Sequence, residues 1–334
     1  TSIEHSAFLN SNTQTYNLPK SLKEIGTSAF REAYVKEVNF APGTSLEKID
    51  KYTFEKCIKL ENVNNIPSDL KVIEEYAFNG CYNLKALRLP EGLTTIGNNA
   101  FYGCKALENM NLPKSLTTLG TSAFYQCKMW DGEISLPLIT DVPNAAFGAC
   151  QKLRKVSFGP QLKSIGYSAL SGCQALTELN LPNSLETIGS GAFSGCCNLT
   201  EVVIPESVTS IDAELFESCS ALKKVTLPSG LTELPNRLFY ACDVLNDIVI
   251  PTSVKTMGRG VFGNCKALER MTIADGVTIG KELFYGCESL KEVQLPATLT
   301  TIPESTFNRC ISLTKVELPA GLMAIERDAF ERSG

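Results

Sequence analysis

Apolar residues return to the same places about every 23 residues along the chain. One unit reads Cys104-x-x-Leu107-x-x-Met110-x-Leu112-Pro113-x-x-Leu116-x-x-Leu119-Gly120-x-x-Ala123-Phe124. The unit from Cys173 repeats it through Leu176, Leu179, Leu181, Pro182, Leu185, Ile188, Gly189, Ala192 and Phe193. The period-two alternation at Met110-x-Leu112 predicts a short strand with one buried face. Pro follows at once in most units, as at Pro90, Pro205 and Pro296, and its missing N–H ends the strand. The slot after the second apolar pair is Gly in Gly97, Gly166 and Gly258 but Pro in Pro143, Pro235 and Pro303. It reads as a tight bend that requires neither left-handed geometry nor a backbone donor. Ala-Phe-x-x-Cys then reads as one turn of α- or 3₁₀-helix, too short to stand alone.

Two ladders fix the period. Phe marks one slot from Phe8 to Phe330 in fourteen steps of 23 residues on average, broken only by Leu170. Cys follows three residues later from Cys57 to Cys310, and only Cys197 stands outside that series. A length of 334 residues would ordinarily suggest two or three domains, but so regular a column belongs to a repeat array. A single coil of 23 residues cannot bury its apolar side, so coils must stack, with strands pairing in parallel about 4.8 Å apart. The expected organisation is one solenoid of about 14 repeats over residues 1–334. Ile3–Phe8 matches Ile25–Phe30, and Ala329-Phe330 closes the last unit, so both ends read as cut in mid-repeat from a longer protein.

The run Leu-x-x-Val-x-Leu-Pro-x-x-Leu-x-x-Ile-Gly-x-x-Ala-Phe-x-x-Cys resembles the BspA-like class of leucine-rich repeats, over essentially the whole chain. The resemblance implies an α/β fold: a curved right-handed solenoid with a parallel β-sheet on its concave face and short helical or 3₁₀ turns and irregular segments opposite. It also implies a cell-surface or secreted protein used in adhesion, with no catalytic motif to carry over. The motif is weakest in the unit from Cys127. That unit has an extra residue before Ile134, the turn dipeptide Asp131-Gly132, and the only Trp, Trp130, in a Leu slot.

Composition narrows the functions. Acidic residues outnumber basic ones, 36 to 31, for a net charge of -5, a poor surface for tracking phosphates, so no nucleic-acid partner is expected. No apolar run approaches the roughly 18 residues that cross a bilayer. His5 is the only histidine and sits at a variable slot, which removes most triad and His-ligated metal chemistry. One Cys every 23 residues is not a metal-ligand spacing, and in-register side chains point in parallel, too wide and badly oriented for a disulfide. The ladder cysteines therefore read as reduced, buried small hydrophobes, with Cys197 the exception. Asn198-Leu-Thr200 is a glycosylation sequon. No catalytic residue, cofactor or metal site is expected, and the chain reads as a non-enzymatic binding solenoid or, alternatively, a passive spacer.

Partner recognition is left to exposed positions. Around the irregular repeat, Asn109, Asn111, Ser135, Ser157 and Asn180 form a short, neutral, polar stretch beside Trp130, with room for a protein or glycan ligand and donors and acceptors for it. The competing reading is a solvated sheet face, with Trp130 filling its Leu slot and the extra residue absorbed as a bulge. Tyr102 and Tyr125 follow the ladder Phe on adjacent coils and form either a rim over the Phe column or an aromatic contact strip. In the strand column Lys224, Asp247, Arg270, Glu292 and Lys315 alternate in sign, which favours register. A monomer or weak dimer is expected.

Overall fold

The computed structural model describes residues 1–108 and 110–334. They form two compact units, Thr1–Ala175 and Leu176–Gly334, each a stack of parallel-stranded coils. Each coil makes three runs, and each run bonds to the coils on either side.

The first run is the predicted strand. In the first unit Thr15–Leu18, Glu37–Phe40 and Asn62–Asn64 pair in parallel and in register. In the second unit Glu201–Val203, Lys224–Thr226 and Asp247–Ile248 do the same, as do Arg270–Thr272, Glu292–Gln294 and Lys315–Val316. In the first unit Leu87, Leu89, Met110 and Leu112 are buried as the pattern requires, and Ala86 bridges to Asn62.

The second run corrects an expectation. The bend before the Gly-or-Pro slot contains a second ladder of two-residue strands, such as Val72–Ile73, Thr95–Ile96 and Thr118–Leu119. The slot also uses its backbone donor: the Gly97 N–H reaches the Ile73 carbonyl and the Gly120 N–H the Ile96 carbonyl, both at 2.8 Å. Where Gly fills the slot, the neighbouring backbone of the previous coil stands close. A Cβ on Gly120 would stand 2.3 Å from the Asn98 nitrogen, and one on Gly97 2.6 Å from the Glu75 nitrogen.

The third run, around the ladder Phe, is not helical, and the described residues contain no helix at all. Two left-handed residues bracket each Phe: Tyr52 (φ 58°) and Lys56 (φ 55°) around Phe54, Arg237 (φ 54°) and Ala241 (φ 58°) around Phe239. A right-handed helix cannot propagate through them. The backbone groups are satisfied in alternation instead. The N–H groups of Tyr52, Phe54 and Lys56 donate to Glu75, Ala77 and Asn79 carbonyls of the next coil at 3.1, 2.7 and 2.7 Å. Those of Thr53, Glu55 and Cys57 donate within the coil to Asp50, Tyr52 and Phe54. Buried donors are thus paired without a helix.

The core is columnar. Ladder rings stack face to face within each unit, for example Phe78 on Phe101 at 5.1 Å and Phe216 on Phe239 at 5.9 Å. The ladder thiols have a specific task. The Phe54 carbonyl accepts from its own coil's Cys57 N–H and, with its second lone pair, from the Cys81 S–H of the next coil at 3.1 Å. The same contact recurs from Cys104 to Phe78 and from Cys242 to Phe216. Cys fits this slot because it combines small apolar bulk with a weak donor.

Candidate functional site

With the core closed, chemistry is confined to side chains on the faces of the coils. The irregular coil comes first. The strand Gly132–Leu136 pairs with Leu153–Phe158, and their register shifts between Gly132 and Glu133. The extra residue is absorbed as a bulge, at a glycine whose φ of 155° disfavours an L side chain. Arg154 Nε lies 2.9 Å from Asp131 Oδ1 across the bulge.

Trp130 is withdrawn from the contact set. It lies fully buried in the Leu slot, 5.0 Å from the Phe124 ring, and donates its Nε1–H to the Met110 carbonyl at 3.1 Å. A large side chain whose one polar atom is satisfied inside the core has no surface left for a partner.

The polar candidates are distributed between the units. Ser135 and Ser157 are register partners on adjacent strands, the first exposed and the second half-buried. Asn111 is exposed and outside any strand, and Asn109 lies outside the described residues. Asn180 is exposed on the strand Glu178–Asn180 of the second unit, in a groove of about 440 Å³ with Glu178, Glu201 and Val203. Tyr102 and Tyr125 stack at 5.3 Å, half-buried. The Tyr125 ring lies against the bare Gly148, where a Cβ would come within 2.7 Å.

Sequence reasoning passed over two residues. Val203 and Val249 are 63% and 77% exposed in a column otherwise held by Asn180, Thr226 and Thr272. Val249 lines a recess of about 400 Å³ with Lys224, Thr226, Leu227 and Pro251. The signal was available as two apolar residues at outward-facing strand positions. The sign-alternating column is in register as expected, Lys224 with Asp247 and Arg270 with Glu292. Lys315, however, sits nearer Glu317 (2.9 Å) than Glu292 (3.9 Å). Its hydrogen bond holds the Glu317 carboxyl below its ordinary value.

Burial keeps the ladder thiols protonated. Burial pushes the Cys57 and Cys219 thiols up to about 12, and the Cys242 thiol well above its ordinary value. No group of three or more His, Cys, Asp or Glu suited to a metal ion, and no helix long and apolar enough to cross a membrane, is found among the described residues.

Comparison with known proteins gives the same picture of the fold. Solved structures of similar build include a leucine-rich repeat protein from Bacteroides ovatus, 30% identical, with a TM-score of 0.55 over 97% of this chain and 73% of that one. A leucine rich cell surface protein from Faecalibacterium prausnitzii is 23% identical, with a TM-score of 0.57 over 95% and 88%. A leucine-rich repeat protein from Eubacterium ventriosum is 22% identical, with a TM-score of 0.56 over 96% and 82%. No curated protein sequence matches. The description "BspA type Leucine rich repeat region" matches residues 1–131, 132–246 and 232–334, so between them the matches run the length of the chain. Stacked parallel coils, Phe and Cys columns and these matches agree: the chain belongs to the BspA-type leucine-rich repeat family.

Proposed function

We propose that this leucine-rich repeat solenoid is a non-enzymatic binding domain of a cell-surface or secreted protein, and that it recognises a protein partner through the strand face of its second unit. The observation that carries the reading is the exposure of Val203 and Val249 beside the grooves that hold Asn180 and Lys224. Stacking does not require apolar side chains at outward strand positions, and exposed apolar groups rimmed by polar ones mark interaction surfaces. Membership of the BspA-type family supports the surface location. In the first unit, Asn111, Ser135, Ser157 and the Tyr102–Tyr125 pair are the secondary candidates.

The test is a screen of the purified chain against extracellular-matrix proteins, followed by Val203→Asp with Val249→Asp. Binding that falls at least tenfold in the double variant, with an unchanged melting curve, supports the reading. Binding that is unaffected moves the site to Ser135, Ser157 and the tyrosine pair. Complete absence of binding favours the spacer role.

A further inference from the structure

The first unit carries a second surface, on the rim just after the Cys column. There the residue after the Cys slot is Tyr34, then Ile58, then Tyr82 on three successive coils, each more than a third exposed at 46%, 38% and 46%. The next coil places Lys105 in the same slot, its Nζ 4.9 Å from the Tyr82 ring centroid. Beside this ridge lies a groove of about 390 Å³ lined by Gln14, Tyr34, Lys36, Lys59, Glu61 and Asn83. The corresponding slots of the second unit hold Cys197, Ser220, Asp243, Lys266, Glu288 and Ile311, with no aromatic among them. Stacking therefore does not dictate an aromatic ridge here.

The charges point one way. Many lysines of this unit are paired to a carboxylate on a neighbouring coil, as Lys51 is to Glu75 and Lys56 to Glu32. Glu61 is held by both Lys85 at 2.9 Å and Lys36 at 3.4 Å, and the Lys85 hydrogen bond keeps its carboxyl below the ordinary range. Lys59 and Lys105 have no carboxylate partner among the described residues. Two ammonium groups without a carboxylate partner, one of them resting on the Tyr82 ring, thus flank a Tyr-Ile-Tyr ridge beside which Glu61 is already neutralised.

We propose that this rim binds an acidic polysaccharide, one bearing uronate or sulfate groups. A tyrosine face carries the negative end of its quadrupole and suits the C–H face of a pyranose ring, while its hydroxyl serves sugar hydroxyls. Lys59 and Lys105 supply the charge for carboxylate or sulfate. The rings beneath are stacked 5.1 Å apart, so Tyr34 and Tyr82, two coils apart with Ile58 between them, stand on the order of 10 Å from each other along the rim. An acidic peptide would meet the charges but leave the spaced aromatic faces unexplained. This site lies on a different run of the coil from the strand face and stands or falls separately from it.

The experiment is calorimetric titration of the full chain with chondroitin sulfate, hyaluronan, neutral dextran and poly-glutamate at low salt. The probes are repeated on Tyr34→Ala with Tyr82→Ala and on Lys59→Glu with Lys105→Glu, each checked by thermal melting. The expected result is binding to chondroitin sulfate, hyaluronan or both, and none to dextran. The uronate and sulfate arms distinguish the group recognised. Each double variant should weaken binding at least tenfold, and only the lysine variant should flatten its salt dependence. Absence of binding to either acidic polysaccharide overturns the proposal. So does poly-glutamate binding that matches theirs and ignores the tyrosines, which would mark a peptide or purely electrostatic site.

Discussion

The two units stack the same ring at different spacings. In the first, neighbouring ladder rings from Phe8 to Phe124 lie 4.8 to 5.1 Å apart. In the second, those from Phe193 to Phe307 lie 5.7 to 5.9 Å apart. The residue just before the ring differs accordingly: Ala29, Ala77, Ala100 and Ala123 in the first unit, Leu215, Leu238, Val261 and Leu283 in the second. One exception shows that the slot matters rather than the unit, and a second that another neighbour can widen the stack. Between Thr306 and Ala329, inside the second unit, the spacing returns to 5.0 Å. Between Phe124 and Phe147 in the first unit it opens to 5.6 Å, although Ala123 and Ala146 precede the rings, because the Trp130 ring packs against both. The ring stack takes its pitch from the volume packed beside it, as expected where interiors are close-packed.

Removing a ring is the largest perturbation. Phe101→Ala and Phe216→Ala should each cost about 3 to 5 kcal/mol in denaturant unfolding, whatever the local spacing, since both rings are fully buried. A loss below about 1 kcal/mol in either would mean the column is not the core. The neighbouring slot then separates the units. Leu238→Ala should cost about 2 to 5 kcal/mol by opening a cavity. Ala100→Leu should cost about 1 to 3 kcal/mol by overpacking the tighter stack. Equal and negligible effects would break the comparison. Trp130→Phe should cost about 1 to 3 kcal/mol, because it leaves the Met110 carbonyl without its donor. Cys104→Ala should cost about 1 kcal/mol, having lost a small thiol and one weak hydrogen bond to the Phe78 carbonyl.

The thiols also give a pH dependence. Burial raises the folded-state values of Cys57 and Cys219 to about 12, against about 8.5 in an unfolded chain. Above pH 8.5 the unfolded chain therefore loses protons that the folded chain retains, so stability is full below that pH and falls as pH climbs toward 12. Denaturant midpoints should hold level from pH 7 to about 8 and then decline progressively to pH 11. A flat profile would place the thiols in water.

The columns were legible in the sequence because Phe and Cys recur with nothing else competing for their slots. The solenoid of stacked parallel strands followed, with the strand and its Pro terminator, while the helical part of the expected α/β class did not. The second ladder was not legible, because two residues such as Thr95–Ile96 are too few to show a period. Nor was the non-helical third run. Its left-handed positions are filled by Tyr52, Glu214, Arg237 and Ser305 as readily as by glycine, so composition carries no mark of them. The bulge at the irregular repeat was foreseen. Trp130 as a contact residue was not sustained, because a side chain of that volume beside Phe124 belongs to the core. Val203 and Val249 were legible as apolar residues at outward strand positions, a signal the sequence analysis did not use.

Thiol titration tests the columnar core most directly. The chain has 13 cysteines; twelve are buried, and Cys197 is half-buried near the Gly195 carbonyl. Native protein treated with an excess of a colorimetric thiol reagent at neutral pH should release at most one equivalent of chromophore. The remainder should react only after denaturant unfolds the coils, with no reductant needed to reach all 13. Rapid reaction of several thiols in the native protein, or a deficit after unfolding that reductant restores, would contradict a core of stacked, protonated cysteines hydrogen-bonded to the Phe ladder.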